Sequence, residues 1–282
     1  MDEKCAPSKT YKDGSCFTLK SLKKIAESYN IKNPMSKIKI SDDKEALVKE
    51  LENKMKNTCS DQTCWLRTDF VKAMNDEEIE NNTFRPTGPD NKKEWLSTTD
   101  INNVVSQYQE KFKDFLFLGA VPADFLELEI LGIKDLDFHE LNKEGKNKIG
   151  MVINLDESWK SGSHWVALYT NLDKDQIYYF DSFGKKPHKR TKKFINKIFT
   201  YMYKSKYNKN PRINDIIKGG ASIKDFDVKY NSQQHQFSNT ECGVYSMNFI
   251  IRLVRGETFE EITNNITKDA EMNKCRDSYF RN

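Results

Sequence analysis

With 282 residues, the chain is long enough for one substantial core and a smaller appendage, since domains commonly run to roughly 100–200 residues. Its 46 Lys and Arg against 42 Asp and Glu leave a net charge of only +4, with both signs scattered, so no basic block makes nucleic acid or a membrane surface an obligatory partner. No apolar run approaches the ~20 residues that span a bilayer, and MDEKCAPSKTYKDG lacks the apolar stretch of a secretory signal, so a soluble intracellular protein is expected.

Residues 17–56 carry two helical patterns, FTLKSLKKIAESYN and DDKEALVKELENKM, with Leu19, Leu22, Ile25 and Ala26 and then Leu47, Leu51 and Met55 at helical spacing. The polar loop between them gives the outline of a small SAP-type DNA-binding module. A two-helix arm packed on its own core has the same pattern.

The segment TFRPTGPDN (83–91) concentrates Pro, Gly, Asp and Asn, the residues of loops and domain joins, and sets a boundary near Phe84. An arm over 1–84 and a main domain over 85–282 are therefore expected. Beyond the boundary, WLSTTDINNVVSQYQEKF offers Ser97 or Thr98 as an N-cap and Ile101, Val104, Val105 and Tyr108 on one helical face.

Three runs rich in β-branched and aromatic residues follow: KIGMVINL (148–155), HWVALYT (164–170) and QIYYFDSF (176–183). They predict adjacent strands of one sheet. RTKKFINKIFTYMYK, with Phe194, Ile195, Ile198, Phe199 and Met202 at helical spacing, predicts a helix covering that sheet. After the short run DFDVKYN, the nearly continuous apolar character from Val244 to Val254 predicts a buried helix that Gly256 ends. Sheet plus helices is an α+β class.

Cys242 stands where this last helix begins, and unpaired N–H groups at a helix N-terminus stabilise a thiolate. Asn239 or Thr240 can cap the helix, and Gly243 leaves room for a substrate backbone. By itself, a cysteine beside an apolar helix is commonly an ordinary core thiol. His164 opens one strand and Asp181 closes the next. If the two pair through the turn NLDKDQ, His164 and Asp181 lie symmetrically about it and reach the same end of the sheet, where an acid can fix the imidazole tautomer. Gln236, in QQHQFSNTECG, supplies an amide donor for an oxyanion, with Gln233, Gln234 and Asn239 as competitors. His235 is the rival base.

The series GSHWVALY, YYFDSFG and QFSNTECGVY resembles the adenovirus-protease and ubiquitin-like-protein-protease group of cysteine proteases, which present His, Asp or Asn, Gln and Cys in this order. The resemblance runs from Trp95 to Val254. More narrowly, CSDQTCWLRTDFVK, FRPTGPDN, HQFSNTECGVYS and EMNKCRDSYFRN are similar to the African-swine-fever-type polyprotein-processing proteases of large DNA viruses. Those enzymes carry Asn where this chain has Asp181, so Asp181 is the position the resemblance transfers least.

The resemblance implies a papain-like core with permuted catalytic order, in which His164 is the base, Asp181 its orienter, Gln236 the oxyanion donor and Cys242 the nucleophile. It further implies cleavage after Gly-Gly in a narrow tunnel walled by Trp165 and Trp95, with no metal and no cofactor. The expected substrate is a viral structural polyprotein with Gly-Gly-X sites, cut at assembly sites in the host cytoplasm and in the virion. Removal of ubiquitin-like modifiers is an alternative using the same chemistry. A non-catalytic protein tethered to DNA through residues 17–56 is an alternative of another class.

The remaining cysteines, Cys5, Cys16, Cys59, Cys64 and Cys275, are too unevenly spaced for a secreted disulfide framework or a matched zinc site, so unpaired thiols are expected.

Overall fold

The computed structural model describes residues 11–59, 62–66, 68–74, 76, 79, 85–211 and 225–280. The chain divides into two compact units, Met1–Gly88 with Cys275–Asn282, and Pro89–Lys274. The expected boundary residue, Phe84, lies outside the described residues. Nothing in the local pattern signals that the C-terminal segment belongs with the arm. Arg85 accounts for it: its buried guanidinium donates from Nη1 to the carbonyls of Asp277 at 2.6 Å and Phe280 at 3.3 Å, satisfying the end of the C-terminal helix.

In the first unit, α1 (Leu19–Lys32) and α2 (Lys44–Met55) form where the two apolar stripes predict them. Thr18 caps α1 by accepting from Ser21 N–H, and Asp43 caps α2 by accepting from Glu45 and Ala46. Short turns α3 (Gln62–Trp65) and α4 (Asp69–Lys72) follow. Leu22, Ile25, Leu47 and Leu51 are fully buried with Phe17 and Trp65, whose rings stack at 6.4 Å. Cys16 and Cys59 are each disulfide-bonded, which corrects the expectation of unpaired thiols for these two. Cys5 lies outside the described residues.

The second unit runs α5 (Thr98–Lys111), β1 (Phe115–Val121), α6 (Phe138–Lys143), β2 (Lys148–Asn154), β3 (Trp165–Asn171), β4 (Gln176–Phe180), α7 (Lys189–Tyr207), β5 (Asp227–Tyr230), α8 (Cys242–Val254), α9 (Phe259–Thr263) and α10 (Asp269–Tyr279), the last crossing into the first unit. The five strands lie in sequence order. The β2–β3–β4 centre is antiparallel, while β1 and β5 join its edges in parallel. The three expected strands are this centre; β1 and β5 are additions to it.

Every residue of β3 is buried, as a strand covered on both faces requires. On one face, Val166, Leu168, Ile177 and Tyr179 join a core with Phe194, Ile198 and Phe199 of α7. On the other, α8 lies against β2 and β3, and Phe249 stacks on Phe180 at 4.8 Å. Gly150 of β2 allows this approach: a Cβ there would stand 2.9 Å from both Ile250 and Phe115. This is the α+β arrangement expected of a papain-like core. Among the described residues no helix is long and apolar enough to cross a membrane.

Candidate active site

The β3–β4 hairpin carries two of the four expected residues. Its register pairs Asn171 with Gln176 and Ala167 with Phe180. Continued outward, this sets His164 opposite Phe183 rather than Asp181, so the symmetric count made from sequence is two residues out. Side chains two residues apart along a strand share a face, and Asp181 reaches the imidazole diagonally. Its Oδ1 accepts from His164 Nε2 at 2.7 Å, and Phe183 takes the opposite position, its ring stacked on the imidazole at 4.6 Å.

Asp181 is buried and held at several points. Its Oδ1 also accepts from Phe183 N–H at 2.8 Å. Asn231, just past β5, clamps its backbone, accepting from Asp181 N–H at 2.8 Å and donating to the Asp181 carbonyl at 2.7 Å. A carboxylate fixed in this way leaves the imidazole one orientation.

Cys242 is the first residue of α8 and is buried. The expected caps, Asn239 and Thr240, do not cap. Glu241 occupies the N-cap position and makes no side-chain cap bond; Thr240 Oγ1 instead donates to the Glu241 carboxylate at 2.9 Å, as does Asn273 Nδ2 at 2.8 Å. The first N–H groups of α8 are therefore not closed off by a capping side chain.

Cys242 lies close enough to the His164 ring to act on its protonation through hydrogen bonding and charge. Since Nε2 faces Asp181, the nitrogen left for the sulfur is Nδ1. Burial works against the charged imidazole, but hydrogen bonding and charge from Asp181 and Cys242 outweigh it, and the His164 pKa is raised from 6.5 to about 9.

Gln236 is fully buried, whereas Gln233, Gln234 and Asn239 are exposed. Its Nε2 donates to the Ser238 carbonyl at 2.8 Å and its Oε1 accepts from Ser182 Oγ at 2.6 Å. These partners fix the amide, and one Nε2 proton is left for another acceptor. His235, the rival base, is buried between Phe180 and Tyr245, and burial lowers its pKa. Its contacts belong to the core.

Trp165 is buried and donates from Nε1 to the Leu96 carbonyl at 2.9 Å. With half-exposed Trp95 it lines a cleft of about 610 Å³. The room at Gly243 has a different use from the one expected: a Cβ there would meet Leu96 at 3.1 Å, so the space is filled by that side chain. Sequence reasoning missed Asn231, Ser182 and Phe183, which act on the site through contacts across the sheet. Ser182 and Phe183 left a trace, their place after Asp181 in YYFDSFG; Asn231 left none.

A profile described as the Ulp1 protease family, C-terminal catalytic domain, matches residues 144–282, the stretch containing all four expected site residues. Over 297 aligned residues the chain is 35% identical to a protein of Acanthamoeba polyphaga mimivirus that bears a thiol-protease designation; the match covers 99% of this chain and 93% of that protein. It is 26% identical over 252 residues to the SUMO-1 cysteine protease of African swine fever virus (isolate Pig/Kenya/KEN-50/1950), covering 82% of this chain and 86% of the relative. The crystal structure of an African swine fever virus protease shares the fold, with a TM-score of 0.58 at 21% identity over 98% of this chain and 95% of that one.

Proposed function

Since the chain belongs to the Ulp1 protease family and is a thiol-dependent peptide hydrolase, we propose that Cys242 is its nucleophile, His164 its acid–base, Asp181 the orienter of His164, and Gln236 an oxyanion donor. The observation that carries this reading is the single line of contacts from Asp181 through His164 to the thiol that heads α8. Cys242 Sγ attacks the carbonyl carbon; negative charge on the oxygen meets the Cys242 N–H and the remaining Gln236 Nε2 proton. The C–N bond breaks as His164 gives its proton to the departing amine. Water then attacks the thioester, His164 takes a proton from it, and the carboxylate product leaves while the thiolate is restored.

The bond cleaved follows Gly-Gly. Cys242 and His164 are only 3% and 7% exposed and lie beside a tryptophan-lined approach, so a segment without side chains is best able to bring its carbonyl to the sulfur. The substrate is a viral structural polyprotein, a reading supported by relatives in two large DNA viruses, and the place of action is the assembly site in the host cytoplasm and the virion. A modifier isopeptidase is the second reading, favoured by the SUMO-1 designation of the African swine fever virus relative. The non-catalytic alternative is overturned by membership of the protease family. DNA contact through residues 17–56 gains no support from the arm's charge pattern, in which Lys23, Lys24, Lys44 and Lys49 face carboxylates.

Labelling with a Gly-Gly vinyl-type electrophile, followed by peptide mapping, tests the reading. Modification of Cys242 that disappears in His164→Ala is expected; labelling elsewhere, or labelling indifferent to His164, would sink it. Cleavage of a capsid-polyprotein peptide but not of a modifier conjugate separates the two substrates.

A further inference from the structure

Residues 185–193 read KKPHKRTKK, six of nine being Lys or Arg, and form the approach to α7 and its first turn. Thr191 faces the core, while Lys189, Lys192 and Lys193 are exposed. Like charges three and four residues apart weaken a helix, and the first turn of α7 has no acidic residue, although a helix start favours one. The arrangement works against the helix on both counts, so helix stability does not explain it.

These residues wall a cleft of about 820 Å³. The two acids in its lining are already engaged: Glu157 accepts from Lys160 at 2.6 Å and from Arg190 at 2.9 Å, and Glu127 lies 3.6 Å from Arg190. Among the described residues Lys189, Lys192 and Lys193 have no ion pair, and their charge is left facing the cleft. Glu157 and Lys160 also line the tryptophan cleft beside His164, so the two spaces meet there. A polypeptide laid past Trp165 and round Lys160 arrives at three uncompensated lysines, each residue of an extended chain covering about 3.3 Å.

We infer that the cleft at the start of α7 is a specificity subsite that binds an acidic segment of the polypeptide substrate, several residues from the cleaved bond. The inference rests on the proteolytic reading above. Continuity with the tryptophan cleft favours a peptide over duplex nucleic acid, since the two clefts share Glu157 and Lys160 and the second is lined by Trp165, the chain neighbour of His164.

The test uses the full chain and Gly-Gly peptides identical except for a tract of four Glu, four Gln or four Lys, placed on either side of the bond, at low and physiological salt. The Glu peptide should be cleaved with kcat/KM about tenfold above the Gln peptide, with the gain in KM and shrinking as salt rises. Replacing Lys189→Glu, Lys192→Glu and Lys193→Glu together should turn the preference toward the Lys peptide, an inversion that misfolding cannot produce. Equal cleavage of Glu and Gln peptides by the unaltered chain, or an acidic preference that survives the charge reversal, overturns the subsite and leaves proteolysis standing. If no peptide is cleaved, the underlying reading falls with it. If the reversal abolishes duplex DNA binding but leaves peptide preference unmoved, the lysines serve a nucleic acid and the inference is wrong.

Discussion

Phe183 lies nearly parallel to His164, the two rings 4.6 Å apart and inclined by 22°. Lys185 Nζ stands over the phenylalanine ring at 5.6 Å, so the imidazole is covered by an aromatic ring with a cation above it. Phe183 is a positioning residue: it limits the tilt of the imidazole and keeps water from one face. Aromatic pairing of this kind contributes about 0.5–1.5 kcal/mol, so Phe183→Ala should lower kcat/KM roughly two- to tenfold. Steady-state kinetics should place the loss in kcat, and Phe183→Tyr should restore it; a change confined to KM would assign the ring to substrate binding.

Asp181→Asn should move the pH profile. A pKa raised to about 9 means His164 holds its proton below that value and loses it above, and the imidazolium is the acid that protonates the departing amine. The alkaline limb of kcat/KM is therefore expected near pH 9. Without the carboxylate, burial is opposed by less, and the limb should fall toward or below 6.5. An unmoved limb in Asp181→Asn would show that the carboxylate does not tune the imidazole.

Asn231→Ala removes both bonds that clamp the Asp181 backbone and leaves its buried N–H and carbonyl without these partners. A buried polar group deprived of its partner costs about 1–3 kcal/mol, which a denaturant melt would register. Activity should fall along with stability, and Asn231→Asp should rescue only part of it because it cannot donate to the carbonyl. Full activity in a destabilised Asn231→Ala would mean that the clamp serves the fold alone.

How much could be read in the chain depended on where the signal lay. The paired arm helices, α5, α7, α8 and the central strands each carry their own periodicity, and they formed where predicted. The edge strands did not announce themselves: β1 is a continuous apolar run interrupted by Gly119 at φ +100°, and β5 is only four residues long. His164, Asp181 and Cys242 meet at one end of the sheet, yet the counting argument that joined the first two assumed a register two residues out. It survived because the error was an even number, which preserves the face of the strand. The Asn231 clamp, the bond from Ser182 to Gln236 and the space at Gly243 are properties of packing between distant segments, and no local pattern encodes them.

The β3–β4 hairpin makes the ways the site can fail unequal. His164 and Asp181 ride on one ribbon whose strands pair locally, whereas the sulfur travels with the helix packed on it. A substitution that reseats α8 therefore parts the thiol from the imidazole and leaves the imidazole with its carboxylate, while damage to the ribbon disturbs both.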